Sequence, residues 1–248
     1  MPERPTPKIR THPYKTLPSR HRVPMSRGRV PFAELCATSN FTFLHGASHP
    51  EEIVERAGAL DYRAVAVADQ NTLAGIVRGH VTAREQGLQY VVGTRIELAN
   101  PALPAIYLYP TDRASYGRLC RLLTLGKRRT TKGACHLELH DLEHHTAGVL
   151  AVLEPPAVLD QTLLEVVGGL RAWFDDDRLS LAVCPVHDGR GAERLAQLRD
   201  LSSWSMVPLM ATNRPLYHVP RRRALQDVLT CIEAGCTLDS AGYRLLAN

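Results

Sequence analysis

The residues of this chain best equipped for chemistry fall at four places, each where an apolar run gives way to polar side chains. They are Cys36-Ala-Thr-Ser-Asn40, Asp69-Gln-Asn71, Gly93-Thr-Arg95 and Thr212-Asn213-Arg214. Metal-assisted hydrolysis needs several His, Asp and Glu side chains converging on one point. Here only Asp69 is a clear candidate. Glu97 lies two residues beyond Arg95 and shares its face if the strand continues. A separate group is His136, His140, His144 and His145. On a helix, the 136/140/144 spacing would align three imidazoles as a zinc site. Asp141-Leu142 and Thr146-Ala-Gly148 around them read instead as loop and short helix, with no acidic general base, so these are taken as exposed loop histidines. His45 and His49 beside the Gly46-Ala-Ser48 turn are taken as structural or solvent-facing, and His218, before Pro220, bears on the last of the four places only by proximity. The six cysteines (36, 120, 135, 184, 231, 236) include no Cys-x-x-Cys pair, which signals neither a zinc ribbon nor a disulfide framework. They are expected to be reduced thiols, mostly buried.

Two basic clusters could touch a phosphate backbone: Lys127, Arg128, Arg129 and Lys132, and Arg221, Arg222 and Arg223. Residues 1–31 carry eight basic side chains against the single acid Glu3, a net of +7. The whole chain is +5, so the remainder sums to −2. With seven prolines across 1–31 and little apolar periodicity, residues 1–29 are expected to form a disordered basic arm that attracts phosphates without reading sequence. The body is not a basic nucleic-acid module by bulk charge.

The elements that must position these groups alternate between short apolar runs and amphipathic stretches. Strands are expected at 30–37, 64–68, 90–98, 105–109, 149–153, 179–184 and 208–211. Helices are expected at 48–60 (with Ser48 as cap), 73–86, 115–125, 159–174, 191–202 and 222–234. That rhythm implies a parallel sheet covered by helices, either a closed α/β barrel or an open doubly wound sheet. Functional groups then sit at the C-terminal ends of the strands. With 248 residues, 44% hydrophobic and 22% charged, the chain can bury a full core. No apolar run approaches a membrane span and no signal peptide is visible near the start, so the expected setting is cytoplasmic, away from membranes.

Several strings agree in order with one family. Phe32-Ala-Glu-Leu-Cys-Ala-Thr-Ser-Asn-Phe-Thr-Phe-Leu-His-Gly-Ala-Ser48, Ala68-Asp-Gln-Asn-Thr-Leu-Ala-Gly75 and Tyr109-Pro-Thr-Asp-Arg-Ala-Ser-Tyr-Gly-Arg-Leu-Cys-Arg-Leu-Leu123 are followed by Ala211-Thr-Asn213, Tyr217-His-Val-Pro220 and Leu225-Gln-Asp-Val-Leu-Thr-Cys-Ile232. From about residue 30 onward the chain resembles the N-terminal region of error-prone C-family DNA polymerases of the ImuC type, paralogues of the bacterial replicative polymerase alpha subunit. The resemblance implies a PHP (polymerase and histidinol phosphatase) domain over 30–235, a distorted seven-stranded α/β barrel. Residues 236–248 would begin the connection to a polymerase core outside this chain. Members with an intact metal site carry His-x-His on the first strand, where this chain has Cys36 and Thr38, and an Asp where it has Asn40. Their Asp-His becomes Asp69-Gln70, a Glu becomes Arg95, and a late Asp-x-His becomes Arg214 and Leu216. Residues 36 and 38 point to one face of a strand, so both losses strike the same side. A guanidinium cannot ligate a metal. Arg95 and Arg214, if inward, are expected to pair with Asp69 or Glu97 and turn a metal site into a salt-bridged plug.

The resemblance thus implies an error-prone polymerase that copies damaged DNA with magnesium in its palm, while this chain alone has no catalytic residue, no metal and a structural role. DNA contact would be weak and independent of sequence. A sliding clamp and mutagenesis accessory proteins would be reached only through regions beyond it. The alternatives are a metal-dependent phosphoesterase or proofreading exonuclease of PHP type, and a free-standing DNA- or partner-binding module.

Overall fold

The computed structural model describes residues 30–175, 177–185 and 189–245, so the basic arm expected at 1–29 lies outside the described residues. The chain runs β1 (Ala33–Ala37), α1 (Pro50–Ala59), β2 (Ala64–Val67), α2 (Ile76–Gln86), β3 (Gln89–Val92) and β4 (Thr94–Ile96). It continues through β5 (Ile106–Pro110), α3 (Arg113–Arg128), β6 (Val149–Leu153), α4 (Gln161–Trp173), β7 (Leu179–Val183), α5 (Gly191–Ser205), β8 (Leu209–Ala211) and α6 (Arg223–Glu233). Among the described residues, no helix is long and apolar enough to cross a membrane.

The fold is mixed α/β, with two corrections to the expected arrangement. Among the described residues, eight strands form two sheets, β1-β2-β3 and β4-β5-β6-β7-β8, instead of one seven-stranded barrel. The run read as one strand over 90–98 divides at Gly93, with β3 pairing to β2 and β4 to β5. The second sheet is also not all parallel, because β5 runs antiparallel to both β4 and β6. The 97–105 link between β4 and β5 is too short for a helical crossover, so the chain must turn back. Two reversals restore direction, so β4, β6, β7 and β8 all run the same way.

Strand alternation sorts the core into three layers. Ile106, Leu108, Ala151, Leu153, Leu179 and Leu181 face outward onto Leu119, Leu122, Leu163, Val167 and Leu198 of α3, α4 and α5. Ala37, Val65 and Val67 of the first sheet face Ile53, Val54, Ala57 and Ala83 of α1 and α2. Between the sheets, Cys36, Ala66, Ala68, Tyr107, Tyr109, Val152 and Ala182 form a common interior. The sheets meet at a parallel bridge between Gln70 and Arg95, where the Arg95 N–H donates to the Asp69 carbonyl. Their far edges meet through backbone bonds beyond the strands and through the side chain of Glu34. The buried Glu34 carboxylate of β1 accepts from Thr212 Oγ1, and from the Asn213 N–H at 2.8 Å, just past β8.

A smaller correction concerns α1. Its N-cap is His49, whose N–H donates to Glu52 Oε2 at 2.9 Å. Ser48 instead accepts from the His218 N–H at 3.0 Å and lies 2.8 Å from His218 Nδ1, tying the turn before α1 to the segment before α6.

A Cβ at Gly93 would come within 2.4 Å of the Tyr109 ring. That ring cannot retreat, because it is buried and its hydroxyl donates to the Leu35 carbonyl at 2.8 Å. Gly93→Ala is therefore expected to destabilise the domain by about 1–3 kcal/mol, read as a lower urea midpoint with an unchanged slope.

Candidate functional site

Because β4, β6 and β8 share a direction, the residues at their C-terminal ends converge. Arg95 lies beside Tyr107, and Tyr107 beside Val152, in one register row of the inner face. Glu97 and Glu154 stand two residues further along the same face. Arg95 Nε donates to Glu154 Oε2 at 2.8 Å and Nη1 donates to Glu97. Arg214, just past β8, reaches the other oxygen of Glu154. Gln70 donates to the second oxygen of Glu97. Burial opposes the charge on both arginines, yet Glu154 and their other partners hold both guanidinium groups above their ordinary pKa. Arg214 adopts a left-handed backbone (φ 46°), which a side chain other than glycine rarely takes, with its N–H donating to Thr212 Oγ1 at 3.1 Å.

Of the two acids expected to pair with the arginines, Glu97 does so with Arg95. Asp69 takes no part, and Glu154 is the acid that both arginines reach. The Asp69 carboxylate accepts from the Ser39 N–H at 2.8 Å, Ser39 Oγ at 2.7 Å and Thr42 Oγ1 at 2.8 Å, which locks the 39–47 turn. Burial pushes its pKa up, against the downward pull of these bonds. Cys36 faces the interior 3.7 Å from the Tyr109 hydroxyl. Burial, with Glu34 adding to it, pushes the thiol up to about 12, so Cys36 stays a neutral thiol near pH 7. The Thr38 N–H and the Leu216 carbonyl bond across the edge between β1 and β8, to Pro215 and Ala47. Asn40 is exposed, and its N–H donates to the Ser48 carbonyl.

Glu154 and Glu34 were not anticipated. Glu154 was legible, since it directly follows the apolar run 149–153, as the other four places follow theirs. Glu34 gave a weaker signal, an acid inside a strand with an apolar residue on either side.

The basic and histidine clusters divide. Lys127 and Arg128 are exposed in the last turn of α3 and Lys132 on the turn beyond it. Arg129 is exposed too but engaged, its two terminal nitrogens gripping both oxygens of the buried Asp141. Arg222 pairs with Glu52, Arg223 lies 3.8 Å from Asp227, and Arg221 is exposed. The segment Leu139–His145 is a 3-10 helix. His136 contacts Glu138, His140 lies 3.6 Å from Asp141, and His145 Nδ1 lies 2.7 Å from the Asp141 carbonyl. Among the described residues, no group of three or more His, Cys, Asp or Glu is placed to hold a metal ion.

Removing Glu154 takes the carboxylate from Arg214 and leaves Arg95 with Glu97 alone. Glu154→Ala should cost about 2–3 kcal/mol in urea unfolding, less than a fully enclosed pair because Arg214 is 37% exposed. Replacing Arg95 and Arg214 by Met in the same chain should recover part of that loss, and a further loss would refute shared neutralisation. Arg129 holds Asp141 below its ordinary carboxyl value of 3.8. A depressed folded pKa gives stability above the unfolded value that disappears as pH falls through the folded one. Thermal unfolding between pH 5 and roughly pH 2 should therefore show a steeper acid loss for the wild type than for Asp141→Asn.

Comparison with known proteins agrees with this architecture. The family model described as PHP domain matches residues 35–177. An error-prone DNA polymerase of Caulobacter vibrioides is 43% identical over 221 residues, covering 88% of this chain and 20% of that protein. One from Rhodopseudomonas palustris is 41% identical over 225 residues, covering 89% and 20%. The chain thus spans about a fifth of the length of these curated relatives. Among solved structures, a protein from Bifidobacterium adolescentis assigned as a metal-dependent phosphoesterase aligns with a TM-score of 0.57 at 14% identity, covering 77% of this chain and 89% of that one. An amidohydrolase from Chromobacterium violaceum, with bound sulfate and no metal, gives 0.57 at 15% identity, covering 76% and 88%. At such identities these two show the fold alone. The chain belongs to the PHP domain family, in the branch that error-prone DNA polymerases carry.

Proposed function

We propose that this domain serves an error-prone DNA polymerase as a structural platform, its metal position replaced by an ion-pair plug. The observation that carries the reading is Glu154 shared between Arg95 and Arg214 at the converging strand ends. PHP-type metal chemistry needs deprotonated or neutral donors aimed at a common point. Here two guanidinium groups occupy that end of the sheets, Cys36 is a protonated thiol, and Asp69 is consumed by Ser39 and Thr42. These residues do not fit a catalytic metal cluster, and no hydrolytic step is assigned to them. The two sheets, joined by the Gln70–Arg95 bridge and by Glu34, are read as an irregular form of the family barrel.

For the whole polymerase the reading implies synthesis across damaged DNA in the cytoplasm, with magnesium held in a palm outside this chain. The clamp and mutagenesis accessory proteins would meet those other regions. This domain would add sequence-independent contacts to DNA. Of the two basic clusters, Lys127, Arg128, Lys132 and Arg221 are exposed and available for it.

Elemental analysis of the purified chain after incubation with manganese or zinc, together with hydrolysis of p-nitrophenyl phosphate, tests the platform reading. The expected result is less than one ion per chain and no turnover above buffer. Two or three ions per chain, with turnover abolished by Asp69→Asn, would overturn it in favour of a PHP-type phosphoesterase.

A further inference from the structure

Beside the plug lies an open groove of about 970 Å³, bounded by the 41–43 turn, the 70–72 segment after β2, residues 97–99 and the end of α3 through 136. Its charge is one-sided. Glu97, the acid on its wall, is engaged by Arg95 and Gln70. Lys127 and Lys132 line the groove, both exposed, and neither makes an ion pair among the described residues. Thr72, Thr130 and Thr131 add hydroxyl groups.

The same groove carries an aromatic ring with no packing role. Phe43 is 81% exposed, although an isolated phenyl group gains by burial. Its turn is held firmly in place. Asp69 ties down Ser39 and Thr42, and Gly46 lies so close to the Ser39 carbonyl that a Cβ there would stand 2.1 Å from the oxygen. An exposed ring on an anchored turn, beside lysines that make no ion pair among the described residues, matches the two requirements of a strand whose bases are unstacked: a face for the base and cations for the backbone. A duplex keeps its base faces covered and cannot use the ring.

We propose that this groove binds single-stranded DNA, with Phe43 stacking on a base and Lys127 and Lys132 contacting phosphates. This rests on the polymerase reading above and narrows it from general backbone attraction to one strand at one place.

The test is fluorescence anisotropy of the full chain with a labelled fifteen-nucleotide oligo-dT and with a duplex of the same length, over a series of salt concentrations. The residues changed are exposed, and circular dichroism checks that each variant folds. Lys127→Ala with Lys132→Ala should lower the slope of log affinity against log salt by about 1.4, near 0.7 for each lost contact to a single strand. Phe43→Ala should weaken oligo-dT binding roughly fivefold or more at an unchanged slope, and leave the duplex unaffected. Arg84→Ala, exposed near the end of α2 that leads into β3, should not reproduce the Phe43 loss. An unchanged slope in the double variant, no loss from Phe43→Ala, or no oligo-dT binding at all would each overturn the groove. Those outcomes leave the platform reading intact, because that rests on metal content.

Discussion

Glu154 lies between two guanidinium groups in a place where water has largely been excluded, and the geometry around it follows from the need to keep that charge balanced. A half-buried arginine without a partner is costly, whereas two around one carboxylate, with Glu97 as the second acid, come close to neutrality. The arrangement needs Arg95, Glu154 and Arg214 at one end of the sheet. This explains why the antiparallel β5 matters. It reverses the chain twice, so β4 and β6 point the same way and their terminal residues meet. Gly93 contributes by letting the chain leave the first sheet and enter the second within one residue.

The surrounding side chains serve the same end by different means. Asp69 holds a turn and Cys36 packs against tyrosine, while Thr38 and Leu216 bond across an edge through their backbones. These positions stand at the strand ends without converging on a common point, and each is engaged in local cohesion. The likeness to solved structures at 14–15% identity speaks to the strand and helix framework alone.

Much of this was legible in the amino-acid order. Helices and strands fell where periodicity placed them, with β6 matching at both ends, because their apolar faces are long and their boundaries carry caps such as Asp112 and Asp160. The common face of Arg95 and Glu97 could be foreseen from alternation, whereas Arg214, past the end of β8, was singled out only by the family resemblance. The partner that both arginines share could have been found by applying the strand-end rule to β6 as well. What periodicity could not supply was the direction of β5, since alternation is the same in parallel and antiparallel strands. Nor could it supply the break at Gly93, which depends on where the Tyr109 ring sits. Ser48 looked like a cap by type, but His218, distant in sequence, claimed its hydroxyl.

Glu34 joins the first strand to the last through Thr212 and Asn213, across 178 and 179 positions of sequence. On a ribosome, the carboxylate is made early and its partners appear only after almost the whole domain has been synthesised. Until then β1 carries an acid that cannot be enclosed without penalty, so the first sheet cannot settle into its native burial ahead of the second. The domain should therefore complete its folding in one late step, when β8 emerges, instead of growing strand by strand from its N-terminus.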